Sequence, residues 1–138
     1  MKRIYAVILA AGMSSRLKTN KLLLRIDGKT TIRRAVEPFV AGGIARVLVV
    51  TGGREGEVKA ALEKDLSTCG GLLGFVHNGD YARGMSSSFK AVLPYLEGSE
   101  GVFFHLGDKP FLERPLVEGM LRTYGENPGK ILVPRHKG

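Results

Sequence analysis

The chain has 138 residues, of which 43% are hydrophobic, and a formal net charge of +8 at pH 7. This length fits one domain with its own core, and no apolar run approaches the ~20 residues that a membrane-spanning helix needs. The charge indicates anionic ligands, such as nucleotides, phosphorylated substrates or pyrophosphate. It also fits nucleic acid, but the basic residues are scattered, without the runs typical of a nucleic-acid surface.

Apolar runs alternate with stretches of helical spacing along the chain. The apolar runs predict five strands, over Ile4–Leu9, Arg46–Thr51, Leu72–His77, Gly101–Leu106 and Lys130–Pro134. The helical stretches between them cover Ile32–Val40, Val58–Leu66, Phe89–Leu96 and Leu116–Tyr124. This alternation predicts right-handed βαβ crossovers and therefore an α/β fold with a mainly parallel sheet.

Three local signals qualify this outline. Pro38 and Pro94 fall inside helical patterns, so we expect a kink or an early end at each. The stretch from Lys18 to Thr30 is irregular, with a turn at Asp27-Gly28. The sequence stops shortly after the fifth predicted strand, without a closing helix. We therefore expect residues 1–138 to form a single domain that is incomplete at its C-terminus.

The N-terminus allows two interpretations. Lys2 and Arg3 precede an apolar stretch that ends in small residues, as in a secretory signal peptide. That stretch is short, and alternating strand and helix patterns begin directly after it. The single cysteine, Cys69, also excludes an intramolecular disulfide, and we assign it no role. A cytoplasmic protein is the better prediction.

A small-residue loop follows the first strand. It reads Leu9-Ala10-Ala11-Gly12-Met13-Ser14-Ser15-Arg16, and Lys21 follows it. Successive backbone N–H groups in such a loop bind phosphate oxygens, while Arg16 and Lys21 place positive charge where a triphosphate would lie. The Walker A pattern is absent, and a plain structural turn is the alternative.

The other strands are followed by loops of similar composition. In an open α/β sheet, ligands bind beyond the carboxyl ends of the strands. The second strand leads into Thr51-Gly52-Gly53-Arg54, in which Gly52 permits close approach to a ligand. The fourth leads into Leu106-Gly107-Asp108-Lys109-Pro110. Asp108 is a candidate Mg²⁺ ligand, because this ion prefers hard oxygen donors, whereas a helix cap or turn-closing aspartate is the alternative.

The loop after the third strand combines Asn78 with Gly84-Met85-Ser86-Ser87-Ser88. Asn78 suits contact with a base or ribose, and a turn-forming Asn-Gly is the alternative. Ser86 or Ser87 could cap the next helix, contact a ligand, or do both, since a helix N-terminus is itself an anion site. His77 and His105 lack metal-ligand partners at recognisable spacing and are treated as structural.

The order of these motifs resembles the molybdenum cofactor cytidylyltransferase group, which is similar to the molybdopterin guanylyltransferases. The resemblance runs through essentially the whole chain. It implies a Rossmann-like three-layer sandwich of the nucleotidyltransferase type and transfer of CMP from Mg²⁺-CTP to the phosphate of molybdopterin, with release of pyrophosphate. Ala11 and the segment Gly84–Ser88 favour CTP, with GTP as the alternative nucleotide.

The resemblance also implies roles for individual residues. Arg16 and Lys21 would stabilise the triphosphate, and Asp108 would hold Mg²⁺. The nucleotide-binding set would comprise Leu9, Ala10, Ala11, Gly12, Ser14, Ser15, Gly52, Asn78, Gly84, Ser86, Ser87 and Ser88. The chain departs from the group at Lys18, where glycine is common, and at Lys109, where the group usually has an uncharged residue.

Other functions stay open on the sequence alone. A sugar or alditol phosphate could replace molybdopterin as the acceptor. The abrupt C-terminus and Lys109 motivate a non-catalytic nucleotide-binding module or a cofactor chaperone that acts with molybdoenzymes. A basic nucleic-acid-binding domain is the third alternative, which steeply salt-dependent binding would support.

Overall fold

The computed structural model describes residues 3–11, 21–40, 44–53, 55–65, 72–107, 109 and 112–126. Within these ranges the strands are β1 (Ile4–Ala10), β2 (Arg25–Ile26), β3 (Lys29–Thr30), β4 (Arg46–Thr51), β5 (Leu73–His77) and β6 (Gly101–Leu106). The helices are α1 (Thr31–Val40), α2 (Glu55–Asp65), α3 (Met85–Val92) and α4 (Arg114–Glu126). The predicted strands and helices that fall in these ranges are confirmed, with ends that differ by a few residues. The predicted strand Lys130–Pro134 lies outside them.

The main sheet places its strands in the order β5-β4-β1-β6, and every pair is parallel. The chain moves from β1 outward through β4 to β5 and then crosses back to place β6 on the other side of β1. The strand order therefore reverses between β1 and β6. A crevice at such a reversal, beyond the carboxyl ends of the strands, is where open α/β sheets bind ligands.

Helices cover both faces of this sheet. The even-numbered residues of β1 pack in one cluster with buried residues of α1, α2 and α4. Odd-numbered residues of β1 face the opposite cluster, where α3 contributes Val92. Because β1 is covered on both faces, its sequence is continuously apolar and does not alternate. This arrangement is the predicted three-layer sandwich.

The two prolines behave differently. Helix α3 ends at Val92, before Pro94, which lies in a 3-10 turn over Leu93–Leu96. The early end expected at Pro94 is confirmed. Helix α1 contains Pro38 and continues to Val40. Phe39, 1% exposed, holds this last turn in the core through an edge contact with Phe103 at 5.5 Å between ring centres. Packing of the last turn against the core compensates for the loss of the backbone hydrogen bond that Pro38 cannot donate.

The irregular stretch contains a hairpin that the sequence did not predict. Strands β2 and β3 are antiparallel, and the predicted turn at Asp27-Gly28 joins them. Both turn residues have positive φ, 51° and 83°, as the tight two-residue hairpin turn requires. Arg34 Nε of α1 donates to the carbonyl of Ile26 at 2.7 Å, which fixes the hairpin to the helix.

Glu37 joins the hairpin to α1 from a half-buried position. Its carboxylate accepts hydrogen bonds from Lys29 Nζ at 3.0 Å and Arg33 Nε at 2.6 Å. Burial by itself would raise the pKa of Glu37, but the hydrogen bonds and charges of Lys29 and Arg33 outweigh it, so the net shift is downward. The ionised form of Glu37 is thus favoured by folding.

We expect the Glu37→Gln variant to be less stable than the wild type at neutral pH. The depressed pKa contributes stability that is present above the unfolded-state value and is lost as pH falls through the folded-state value. The two ion pairs are partly exposed, so the difference should be about 1 kcal/mol or less. Urea denaturation of both proteins at pH 7 and in the acid range measures it. A difference that did not shrink as the pH fell through the acid range would contradict the assigned cause.

Among the described residues, no helix has both the length and the apolar character that crossing a membrane requires.

Candidate functional site

The four parallel strands bring their following loops to one edge of the sheet. Ala10 at the end of β1 is paired in register with Thr51 at the end of β4, and Leu9 with Leu106 of β6. Thr51 in turn pairs with His77 at the end of β5. The loops singled out from the sequence therefore begin side by side, as the crevice rule predicts.

The junction between β1 and β6 is tightly built on both sides of position 108. Gly107 N donates to the carbonyl of Leu9 at 3.0 Å, and Lys109 N donates to the carbonyl of Leu106 at 3.1 Å. A side chain on Gly107 would place its Cβ 2.9 Å from Ile32 Cδ1 and 3.2 Å from the Leu9 oxygen. The backbone that flanks Asp108 is thus fixed against β1. Asp108 itself lies outside the described residues.

His105 supports the same junction. Its Nε2 lies 2.9 Å from the Lys109 carbonyl oxygen, and its ring is 5.7 Å from that of Phe39. These contacts give His105 the structural role that the sequence predicted. The Lys109 side chain is exposed.

Gly52 is buried where the loop after β4 meets the start of the phosphate loop. A Cβ on Gly52 would lie 2.8 Å from the Ala11 carbonyl oxygen and 2.9 Å from Tyr81 Cβ. Gly52 therefore allows close approach of Ala11 and Tyr81 of the same chain, whereas the sequence predicted close approach of a ligand. Its predicted contact with a nucleotide stays a prediction. Tyr81, which the sequence analysis missed, is half-buried and connects this junction to the loop after β5.

Asn78 connects the end of β5 to the start of α3. Its Nδ2 donates to Ser87 Oγ at 2.8 Å and to Ser88 Oγ at 3.1 Å, while its Oδ1 accepts from Asp80 N at 2.9 Å. Asn78 is 3% exposed, and both amide hydrogens have partners within the protein. The turn-forming alternative is therefore present, together with a clamp on α3. Contact between Asn78 and a base or ribose stays a prediction.

The start of α3 depends on a glycine. The helix begins at Met85, and Gly84 precedes it with φ 98° and ψ −173°, a backbone conformation that is essentially restricted to glycine. No side chain caps this helix end. The prediction that Ser86 or Ser87 caps it is thus wrong, because Ser87 Oγ instead donates to the Gly84 carbonyl at 2.6 Å.

The three serines differ in exposure. Ser87 and Ser88 are buried and hold Asn78, whereas Ser86 is exposed. Among the described residues, the Ser86 hydroxyl has no hydrogen-bond partner. Ser86 is therefore the serine whose hydroxyl is available to a ligand.

The phosphate loop is described only at its two ends. Leu9, Ala10 and Ala11 lead into it, and Lys21 is exposed at the start of a 3-10 turn over Lys21–Leu23. Leu22 in that turn is buried in the cluster that contains α1, which fixes the backbone beside Lys21. The remaining predicted residues of the loop lie outside the described ranges: Gly12, Ser14, Ser15 and Arg16.

The described side chains do not form a metal centre by themselves. Within the described ranges, no group of three or more histidine, cysteine, aspartate or glutamate residues could hold an ion. Mg²⁺ commonly binds one or two carboxylates together with substrate phosphates. A site of that kind is compatible with this fold if Asp108 supplies the carboxylate, since its flanking backbone is anchored at the crevice.

Comparison with known proteins places the chain among nucleotide-transferring domains. Residues 6–138 match the MobA-like NTP transferase domain family. The chain is 30% identical over 138 residues to the molybdenum cofactor cytidylyltransferase of Escherichia coli, covering 100% of this chain and 67% of that protein. It is 31% identical over 134 residues to the bifunctional protein GlmU of Sorangium cellulosum, covering 93% of this chain and 28% of that protein.

A solved structure shares the fold. A nucleotidyl transferase from Methanothermobacter superposes with a TM-score of 0.72 at 28% identity, over 87% of this chain and 57% of that one. This likeness confirms the predicted nucleotidyltransferase type of α/β fold. The chain spans between about a quarter and two thirds of the length of these three proteins.

Proposed function

Because the chain belongs to the MobA-like NTP transferase domain family, we propose that it acts in the transfer of CMP from CTP to the terminal phosphate of molybdopterin. The observation that carries this proposal is the likeness along the whole chain to the E. coli molybdenum cofactor cytidylyltransferase. The close packing of Gly52 against Ala11 and the hydrogen bond from Gly107 to Leu9, where the loops after β1 and β6 begin, support it, since this chemistry needs fixed groups there.

In the proposed reaction an oxygen of the acceptor phosphate attacks the α-phosphorus of CTP. The bond between that phosphorus and the bridging oxygen to the β-phosphate breaks, and pyrophosphate leaves. No covalent enzyme intermediate is needed, so the protein contributes positioning and charge neutralisation. Backbone N–H groups of the loop that starts at Ala10 would hold phosphate oxygens, while Arg16 and Lys21 would offset the charge of the leaving pyrophosphate.

Mg²⁺ belongs to the proposal as the cofactor. When bound by Asp108 and the triphosphate, it supplies Lewis-acid polarisation of the α-phosphate. Gly84 and Ser86, which are exposed beside the clamped Asn78, would contact the base, the ribose or the acceptor. Asn78, Ser87 and Ser88 would shape that contact surface.

Calorimetric titration with CTP and with GTP, each with and without Mg²⁺, tests the proposal. We expect magnesium-dependent binding of CTP that exceeds binding of GTP. In Asp108→Ala the magnesium-dependent part should be lost, whereas Glu63→Ala, an exposed carboxylate on α2, should behave as the wild type.

Other outcomes separate the alternatives. A preference for GTP would identify GTP, and not CTP, as the nucleotide substrate. Transfer to a sugar phosphate but not to molybdopterin would change the acceptor. Nucleotide binding without pyrophosphate release in the presence of acceptor would identify a non-catalytic module. Absence of binding by either nucleotide would contradict the proposal.

A further inference from the structure

Tyr81 lies where the loop after β5 meets the loops after β1 and β4. Its Cβ and Cγ lie 2.9 Å and 3.0 Å from the position that a Cβ on Gly52 would take, and the Ala11 carbonyl oxygen lies 2.8 Å from the same position. Gly52 is therefore a shared contact point for the tyrosine side chain and for the start of the phosphate loop. Because packed atoms at such distances cannot approach further, the Tyr81 side chain limits how close the loop after β5 lies to Ala11.

The backbone of Tyr81 leads directly to the start of α3. Its carbonyl accepts a hydrogen bond from Gly84 N at 3.2 Å, and the Gly84 carbonyl accepts in turn from Ser87 N at 3.2 Å. On the other side of Tyr81, Asp80 N donates to Asn78 Oδ1 at 2.9 Å. A movement of Tyr81 would therefore displace Gly84 and the first turn of α3.

The contacts of Tyr81 are made by its ring and not by its hydroxyl. Within the described part of the chain, no hydrogen bond joins the Tyr81 hydroxyl to another group. The half-buried ring packs against the apolar cluster that includes Ala11, Val50 and Val76. Phenylalanine would keep these ring contacts, whereas alanine would remove them.

On the basis of the proposed function, we propose that Tyr81 is a positioning residue that sets the separation between the phosphate loop and the start of α3. These two parts of the site would hold the triphosphate and the nucleoside of one CTP molecule. A ligand that spans both parts needs them at the correct separation, whereas a ligand that contacts one part does not. Tyr81 thus acts through Ala11 and Gly84, without touching the nucleotide.

Calorimetric titration with CTP, CMP and pyrophosphate, each with Mg²⁺, tests this role. In Tyr81→Ala the affinity for CTP should fall by about tenfold, while the affinities for CMP and pyrophosphate should each change by less than about twofold. Tyr81→Phe should restore the affinity for CTP. The matched control is Tyr95→Ala, which removes an exposed tyrosine from the 3-10 turn after α3 and should leave all three affinities unchanged.

Three outcomes would overturn the proposal. The first is an unchanged affinity for CTP in Tyr81→Ala. The second is a loss of CMP or pyrophosphate affinity as large as the loss for CTP, because Tyr81 would then support only one part of the site. The third is a failure of Tyr81→Phe to restore CTP binding. If Tyr81→Ala does not fold, Tyr81→Leu replaces it in the same series, with a loss of the same sign expected for CTP alone.

A measurement without ligand separates this inference from the proposed function. Gly52→Ala should push against Tyr81 and accelerate amide hydrogen exchange at Gly84 and Ser87 by about three- to tenfold, whereas Gly119→Ala on α4 should not. Unchanged exchange at both amides overturns the proposal. If the wild type binds none of the three ligands, the proposed function fails, and the exchange rates still decide whether Tyr81 couples the two loops.

Discussion

Replacing Gly52 by alanine will destabilise the fold and weaken nucleotide binding together. The new methyl group would lie 2.8 Å from the Ala11 carbonyl oxygen and 2.9 Å from Tyr81 Cβ. Neither atom is at the end of a flexible side chain, so the backbone of one loop has to move. Overpacking of this kind costs about 1–3 kcal/mol. Because Ala11 leads directly into the predicted phosphate loop, the displacement should also lower the affinity for CTP.

Urea denaturation and calorimetry measure the two effects, and Gly119→Ala is the matched control. Gly119 lies inside α4, and a Cβ there meets no atom within 4 Å. Alanine should therefore stabilise this helix by about 1 kcal/mol without changing CTP affinity. Equal stability of Gly52→Ala and the wild type would refute the role given to this close contact.

Replacing Asn78 by alanine will release α3 from the end of β5. The substitution removes the donors to Ser87 and Ser88 and the acceptor for Asp80 N. Loss of buried partners of this kind costs about 1–3 kcal/mol. The variant should show lower stability in urea and weaker CTP binding, since Gly84 and Ser86 lose their fixed position.

A double-mutant cycle distinguishes the clamp from a general loss of packing. Asn78→Ala combined with Ser88→Ala should cost less than the sum of the two single changes, because both remove the same hydrogen bond. The exposed Ser86→Ala variant should leave the free energy of unfolding unchanged. Strict additivity of Asn78→Ala and Ser88→Ala would argue against the clamp.

The sequence was informative about the sheet because of how the sheet is buried. Strands β1 and β4 are covered on both faces, so each appears as a continuous apolar run that ends in a turn. The hairpin of β2 and β3 was missed because two-residue strands carry no periodicity. What fixes it is a set of long-range contacts from α1, including the hydrogen bond from Arg34 to Ile26.

The candidate site was predictable in its position but not in its internal contacts. The loops that follow parallel strands lie at one edge of the sheet regardless of side-chain packing. The order of the motifs along the chain was therefore sufficient to predict where the site lies. The division of the serines into buried Ser87 and Ser88 and exposed Ser86 depends on the direction of α3 relative to β5. Ser86 and Lys90 are four residues apart in a stretch of helical spacing, so their position on one face of α3 could have been predicted.

The strand order has a consequence for how the molecule assembles. In register, Ile4 pairs with Gly101, so β1 can gain β6 as a neighbour only after the whole segment between the two strands has been synthesised. Contacts between such distant residues close large loops and form slowly. Until then one edge of β1 lacks its partner and the crevice between β1 and β6 does not exist. Ligand binding at this crevice therefore requires that β6 has been synthesised and has paired with β1.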